Sequence, residues 1–302
     1  MSRVVDQAAE VNRAPQSTPA PQQGAARERR EAALITGRAG WSGLRAALHA
    51  EWTKLRTVQG TYWLLLAIAV LTTAVSAAAE AAVTCPAAGC GQDPAKVSLT
   101  GVEAGQAVVA ILAVVTVCGE YSTGLVRLTF AAMPRRSTVL AARSLLVSGL
   151  TLLAGTISVL GSLLIGRLVM PGKGFSSAHG YPSLLSLTDT SVLRAAGGSV
   201  LYLALIALLS LGIATLIRES ATSIGVVLAL LYLWPIIGAA VTDPHWHNRI
   251  ERYAPMNAGL SIQATRDLAG MPIGPWEGLG VLAAWAAGSL LVGGLALRLR
   301  DV

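Results

Sequence analysis

The chain has 302 residues, 53% of them hydrophobic and only 13% charged, with a mean hydropathy of +0.59, whereas a water-soluble domain carries about 25% charged residues. That composition argues against an ordinary soluble fold. The net charge of +7 does not point to nucleic acid either, because apolar runs separate the basic residues instead of gathering them on one face.

The first 40 residues carry Pro15, Pro19, Pro21, several glutamines and the cluster Arg27 to Glu31, with almost nothing apolar to bury. Such a segment cannot offset its ordering entropy, and we read it as a disordered cytoplasmic tail. It is not read as a signal peptide, since the first long apolar run starts only near Tyr62. Over 41–58, Trp41, Leu44, Leu48, Trp52 and Leu55 recur at helical spacing on one narrow face, with Arg45, His49 and Arg56 beside it. This pattern predicts an amphipathic helix lying on the membrane, its tryptophans at headgroup depth. A plain extension of the first span is the alternative.

Six apolar runs follow, at about 62–83, 102–118, 144–166, 195–217, 220–242 and 278–297. Most reach the ~20 residues a helix needs to cross about 30 Å of hydrocarbon. The second is the weakest, because Glu103 and Gln106 stand near its start, and a re-entrant or tilted segment stays open there. The fold class expected is an all-α integral membrane protein with six transmembrane helices filling 59–302. Lys54, Arg56, Arg127, Arg135, Arg136, Arg143, Arg218, Arg298 and Arg300 fall on one set of alternate connections, while basic residues on the other set are diluted by Asp243, Glu251, Asp267 and Glu277. The positive-inside rule then places both termini in the cytoplasm of a multi-pass cell-membrane protein.

The first outer loop holds Cys85 and Cys90, whose spacing permits a disulfide and equally permits two free thiols. The second, 167–193, reads as a flexible Gly, Ser and Pro connection without chemistry. The third, 243–277, has tryptophans at both ends, as an interface belt would, and a stretch from Ala258 to Leu268 suited to a short helix. His245 and His247 lack a third ligand nearby, so no metal site is expected. Within the spans, small residues recur where helices approach closely, and Pro235 removes a backbone donor from the fifth.

An intramembrane enzyme needs ionisable groups within the bilayer. The spans are nearly free of them, and Glu80, Glu103 and Glu120 stand near span ends, where water is expected to reach them. There is no His-Glu-x-x-His, no Gly-x-Ser-x-Gly and no Gly-x4-Gly-Lys-[Ser/Thr] phosphate loop. The chain is therefore not expected to be an enzyme, nor to bind ATP by that loop, and a partner is the better source of energy. Attention turns to the inner stretch Gly119 to Arg143.

Four motifs in this chain carry a resemblance: Glu51-Trp52-Thr53-Lys54-Leu55-Arg56 before the first span, Gly119-Glu120-Tyr121-Ser122-Thr123-Gly124 after the second, Pro134-Arg135-Arg136 with Arg143 entering the third, and Tyr253-Ala254-Pro255-Met256-Asn257-Ala258-Gly259 before the last. On them, the chain resembles the membrane subunits of ABC exporters of the type-2 permease family, in their compact six-span form common in actinobacteria. The match extends over nearly everything beyond residue 40. It implies a permease without cofactors of its own, paired with a separate ABC ATP-binding subunit that holds ATP and Mg, and with a second permease subunit, a homodimer being favoured. The coupling segment implied for the ATPase contact runs from Glu120 to Arg136 and includes Tyr121, Thr123, Gly124, Arg127, Pro134 and Arg135. Trp41 to Arg56 matches the family's interfacial helix, in contact with membrane lipid, and 243–277 its helical hairpin outside the membrane. Where many members continue the Thr-Gly pair with an acidic residue, this chain has Arg127. The expected function is ATP-driven export of a hydrophobic or amphipathic substrate such as a drug, peptide or lipid. The alternative is a non-transporting membrane anchor of an ATPase in sensing or immunity.

Overall fold

Each of the six apolar runs folds as a helix, which satisfies every backbone polar group within its own segment where no water is present to do so. The computed structural model describes residues 43–84, 91–124, 136–175 and 189–299. Among them no strand occurs, and six helical segments are long and apolar enough to cross a membrane: Gln59–Ala82, Pro94–Ser122, Arg136–Lys173, Thr190–Ile217, Ser220–Ala240 and Pro275–Leu299. The chain is an all-helical, multi-pass membrane protein. Residues 46–302 form one compact unit, and of the other, 1–45, only 43–45 are described. The tail over 1–40, Trp41, the cysteines Cys85 and Cys90, and Arg127, Pro134 and Arg135 lie outside the described residues.

In chain order, helix α1 covers 43–57, and α2, Gln59–Ala82, is the first span. The short α3, Pro94–Ser98, begins at Asp93, whose carboxylate accepts the amides of Ala95 at 3.1 Å and Lys96 at 3.4 Å, with Pro94 in the first helical position. Helix α4, Gly101–Ser122, is the second span, and α5, Arg136–Val169, the third, prolonged by a 3-10 turn at Met170–Lys173. Helix α6, Thr190–Ile217, starts from Asp189, which accepts the amide of Ser191 at 2.9 Å and its hydroxyl at 2.6 Å. Those bonds hold the Asp189 carboxyl below the usual range. Helix α7, Ser220–Ala240, begins at Glu219, which accepts the amides of Ala221 and Thr222 and whose carboxyl is held low by the bonds from Thr222 and Ala221. Pro235 sits inside α7, which runs through it unbroken. Before the last span come α8, Pro244–Tyr253, and α9, Pro255–Leu260, then 3-10 turns at Ser261–Gln263 and Leu268–Gly270. The short helix expected from Ala258 thus occupies only the beginning of that stretch. The last span is α10, Pro275–Leu299.

Two spans are central. In α4 and α6, 61% of the most apolar window is buried inside protein, against 22% in α2, α7 and α10. This accounts for the weak look of the second run: its polar groups face protein. Gln106 is fully buried, accepts the Tyr202 hydroxyl of α6 and donates to Met256 Sδ at 3.2 Å. Tyr232 of α7 donates to the carbonyl of Glu103. With 22 residues in one unbroken helix, α4 is about 33 Å long at 1.5 Å per residue, long enough to cross the hydrocarbon. Outward positions are apolar, Leu168 and Leu291 each being 74% exposed, as lipid-facing side chains of spanning helices are.

Close helix approach is concentrated at a few glycines. A Cβ on Gly278 of α10 would lie 2.0 Å from the Ala258 carbonyl of α9, and one on Gly212 of α6 would lie 2.5 Å from the Ser289 backbone of α10. Only glycine lets these backbones touch.

Candidate functional site

The end of α4 and the start of α5 meet α1 at one end of the bundle, and there four charged side chains gather, three of them buried. On α1 the inward stripe is Ala47, Glu51 and Leu55, four residues apart, with Lys54 one turn from Glu51. Glu120 lies in the last turn of α4, and Arg143 two turns into α5. Glu51, Glu120 and Arg143 are 4%, 8% and 6% exposed, respectively.

The geometry is that of a closed network. Lys54 Nζ donates to Glu51 Oε1 at 3.1 Å and to Glu120 Oε1 at 2.7 Å. Arg143 Nε donates to Glu51 Oε2 at 3.2 Å, a terminal nitrogen of the same guanidinium reaches Glu51 Oε1 at 3.3 Å, and it also pairs with Glu120 Oε2. Two carboxylates and two cations make the cluster neutral overall. An isolated ion in such surroundings costs several kcal/mol, and each partner here offsets that cost for another. The bidentate fork on Glu51 is a geometry that lysine could not reproduce.

Around this cluster the neighbouring span ends are tied by arginine. Arg218 has the left-handed φ of +66° between α6 and α7, and its guanidinium stands 5.4 Å from the ring centroid of Tyr121. It donates to the carbonyl of Ala296 at 3.3 Å, while Arg136 donates to that of Leu297 at 2.7 Å. Both therefore satisfy carbonyls in the last turn of α10, where positive charge also complements the helix dipole. Cys118, buried, lies 3.8 Å from Ser223 Oγ of α7 and 3.9 Å from the carbonyl of Ala214 of α6.

Thr123 and Gly124 close α4 on the exposed surface. The Thr123 hydroxyl donates to the Gly119 carbonyl at 2.9 Å, and Gly124 adopts φ +71°, the left-handed turn that ends a helix at glycine. Of the residues singled out in sequence, Glu120, Tyr121, Thr123, Gly124 and Arg136 are thus found at one end of the bundle.

Three expectations change. Glu120 and Glu80 do not reach water: the first is held in the ion cluster, and the second is 0% exposed beside Ser98. Arg143 is no mere flanking charge, since it is buried on two carboxylates. The apolar face of α1 is divided: Leu55 packs inward, Leu48 is half-buried, Leu44 lies in the same helix, and Trp52 is 45% exposed. The reason is that the inward stripe follows Ala47, Glu51 and Leu55, which leaves Trp52 one residue out of phase.

Two participants escaped the sequence reading. In the sequence Glu51 stands only as the first residue of the motif that ends at Arg56, with no partner assigned to it, and Asp93 draws no attention at all. Besides starting α3, Asp93 accepts the amides of Thr265 and Arg266 and the Thr265 hydroxyl at 2.7 Å, clasping the segment that follows α9. Near the same end, His247 places Nδ1 3.0 Å from the Gly238 carbonyl and Nε2 3.4 Å from Glu251. Among the described residues no group of three or more His, Cys, Asp or Glu side chains is gathered to hold a metal ion.

Comparison with known proteins adds no relative: no protein-family model matches the chain, and no curated protein matches it. What the site can do follows from its own geometry. Its four charged groups are engaged with one another. It joins α1, the end of α4 and the body of α5 into one piece, so displacement of any one is passed to the others.

Proposed function

We propose that the chain is the membrane-spanning subunit of an ABC exporter of the type-2 permease kind, not itself catalytic, working as a homodimer with a separate ATP-binding subunit. The observation that carries this reading is the ion cluster. Glu120 opens the expected docking segment and is bound through Lys54 and Arg143 to the helix before the first span and to the third span. A partner that moves the segment between α4 and α5 pulls directly on three elements, and packed helices answer such a pull by shifting as bodies. The charged end of the bundle then lies in the cytoplasm, and the membrane is the cell membrane. The absence of a phosphate loop from the sequence supports a partner as the source of energy.

The test is purification of the full chain from its source membranes, with assay of the eluate for vanadate-sensitive ATP hydrolysis, followed by efflux measurements in vesicles containing both subunits. ATP-dependent efflux is the expected result. ATP hydrolysis without any efflux would favour a membrane anchor over a transporter. Glu120→Ala combined with Arg127→Ala should weaken ATPase association while membrane insertion is unchanged; equal association in the variant would remove the segment from the contact.

A further inference from the structure

A second feature, on the flank of the bundle, owes nothing to ATP coupling. Helices α7 and α10 both pack on α6, and between them run two cavities of about 680 Å³ and 750 Å³ that share Tyr253 and Trp285 in their walls. Volumes of this order are those of sites for drug-sized ligands, about 300–1,000 Å³ each. The longer wall, on α10, runs from Val281 to Val292. At 1.5 Å per residue those 11 steps make about 16 Å, centred on the middle of α10, and the facing residues of α6, Leu209 to Leu216, lie toward its Arg218 end.

The mouth has a different chemistry from the trough. It lies at α8, where Trp246 and Arg249 face the cavity, with the Arg249 guanidinium 5.4 Å from the Trp246 ring centroid. No carboxylate among the described residues pairs with Arg249; the nearby acid, Glu251, is turned to His247 instead. Trp285 Nε1 donates to the Tyr253 carbonyl at 3.1 Å and so fixes the ring shared by mouth and trough. An apolar trough that continues from an interfacial aromatic cluster with an uncompensated cation matches a lipid whose phosphate meets the arginine.

We propose that this groove between α6, α7 and α10 is a binding site for an anionic phospholipid, its headgroup at Arg249 and one acyl chain reaching along the trough past the middle of the spans. The inference stands whether or not an ATPase partner exists, and the homodimer proposed above then forms through another face.

The experiment uses the purified full chain in detergent, titrated with dioleoyl phosphatidylglycerol or dioleoyl phosphatidylcholine, with bound lipid counted by native mass spectrometry. The anionic lipid should be retained about five-fold better, the ratio that one arginine at a lipid surface gives, and Arg249→Gln should abolish that preference. Gly288→Leu projects a side chain into the trough, where a Cβ meets no atom within 4 Å, and should weaken both lipids about ten-fold, the effect of excluding roughly two methylenes. Leu291→Ala, outside the groove, should change neither. If Gly288→Leu lowers folded yield, Ala284→Leu in the same wall serves in its place. Equal retention by wild type and the filled groove, or an anionic preference that survives Arg249→Gln, would overturn the site. So would cross-linking of Gly288→Cys chains to each other in membranes, which would make a second copy the occupant.

Discussion

Arg143 is the residue on which the cluster turns, since it is nearly sealed from water and bridges both carboxylates. Arg143→Gln leaves Glu51 and Glu120 buried with only Lys54 between them, and should cost about 3–5 kcal/mol, read as a loss of thermal stability in detergent by circular dichroism. Lys54 is different: its side chain is 39% exposed, so Lys54→Ala should cost about 1 kcal/mol or less after solvent screening. If the two variants were equally stable, the cluster would not be the buried network described. Arg218 offers a backbone test beside it. Its φ of +66° is uncomfortable for any residue with a Cβ, so Arg218→Gly should be more stable than Arg218→Ala by about 1 kcal/mol, although both lose the contacts to Tyr121 and Ala296. The reverse order of stabilities would show that the turn is not under that strain.

At the scale of elements, the expected sensitivities lie at glycines where backbones touch. Gly278→Ala must part α10 from α9, and overpacking of this kind costs about 1–3 kcal/mol, whereas Gly288→Ala, with open space around it, should be neutral within about 0.5 kcal/mol. Comparable melting of both variants would contradict the packing. The same scale explains what was legible in the sequence. Hydropathy locates all six spans, because the membrane imposes one length and one polarity on every crossing helix. It misjudges α4, since Gln106 looks costly until Tyr202 is seen to engage it. The ion cluster was half legible. Glu120 stood out beside the inner loop, but its partners come from 66 residues before, in α1, and from α5, and no local periodicity records a pairing across such separations. The role of Glu51 stayed hidden because its partner Arg143 lies 92 residues further on, in α5.

For the whole molecule, α1, the end of α4, the start of α5, the turn at Arg218 and the last turn of α10 meet at one end of the bundle and are joined there through charge. The far end is joined by bonds between single charged side chains and backbone instead, Arg194 donating to the Ala264 carbonyl and Asp93 clasping the segment after α9. Such an arrangement suits a machine driven from one side, with the charged end as the input. That is the central claim, and the assay of ATP hydrolysis co-purifying with the full chain addresses it most directly. The account expects vanadate-sensitive ATP hydrolysis to accompany the wild-type chain and to fall several-fold when Glu120→Ala and Arg127→Ala are combined. A properly inserted wild-type chain that brings no ATP-hydrolysing partner out of its own membranes would contradict it.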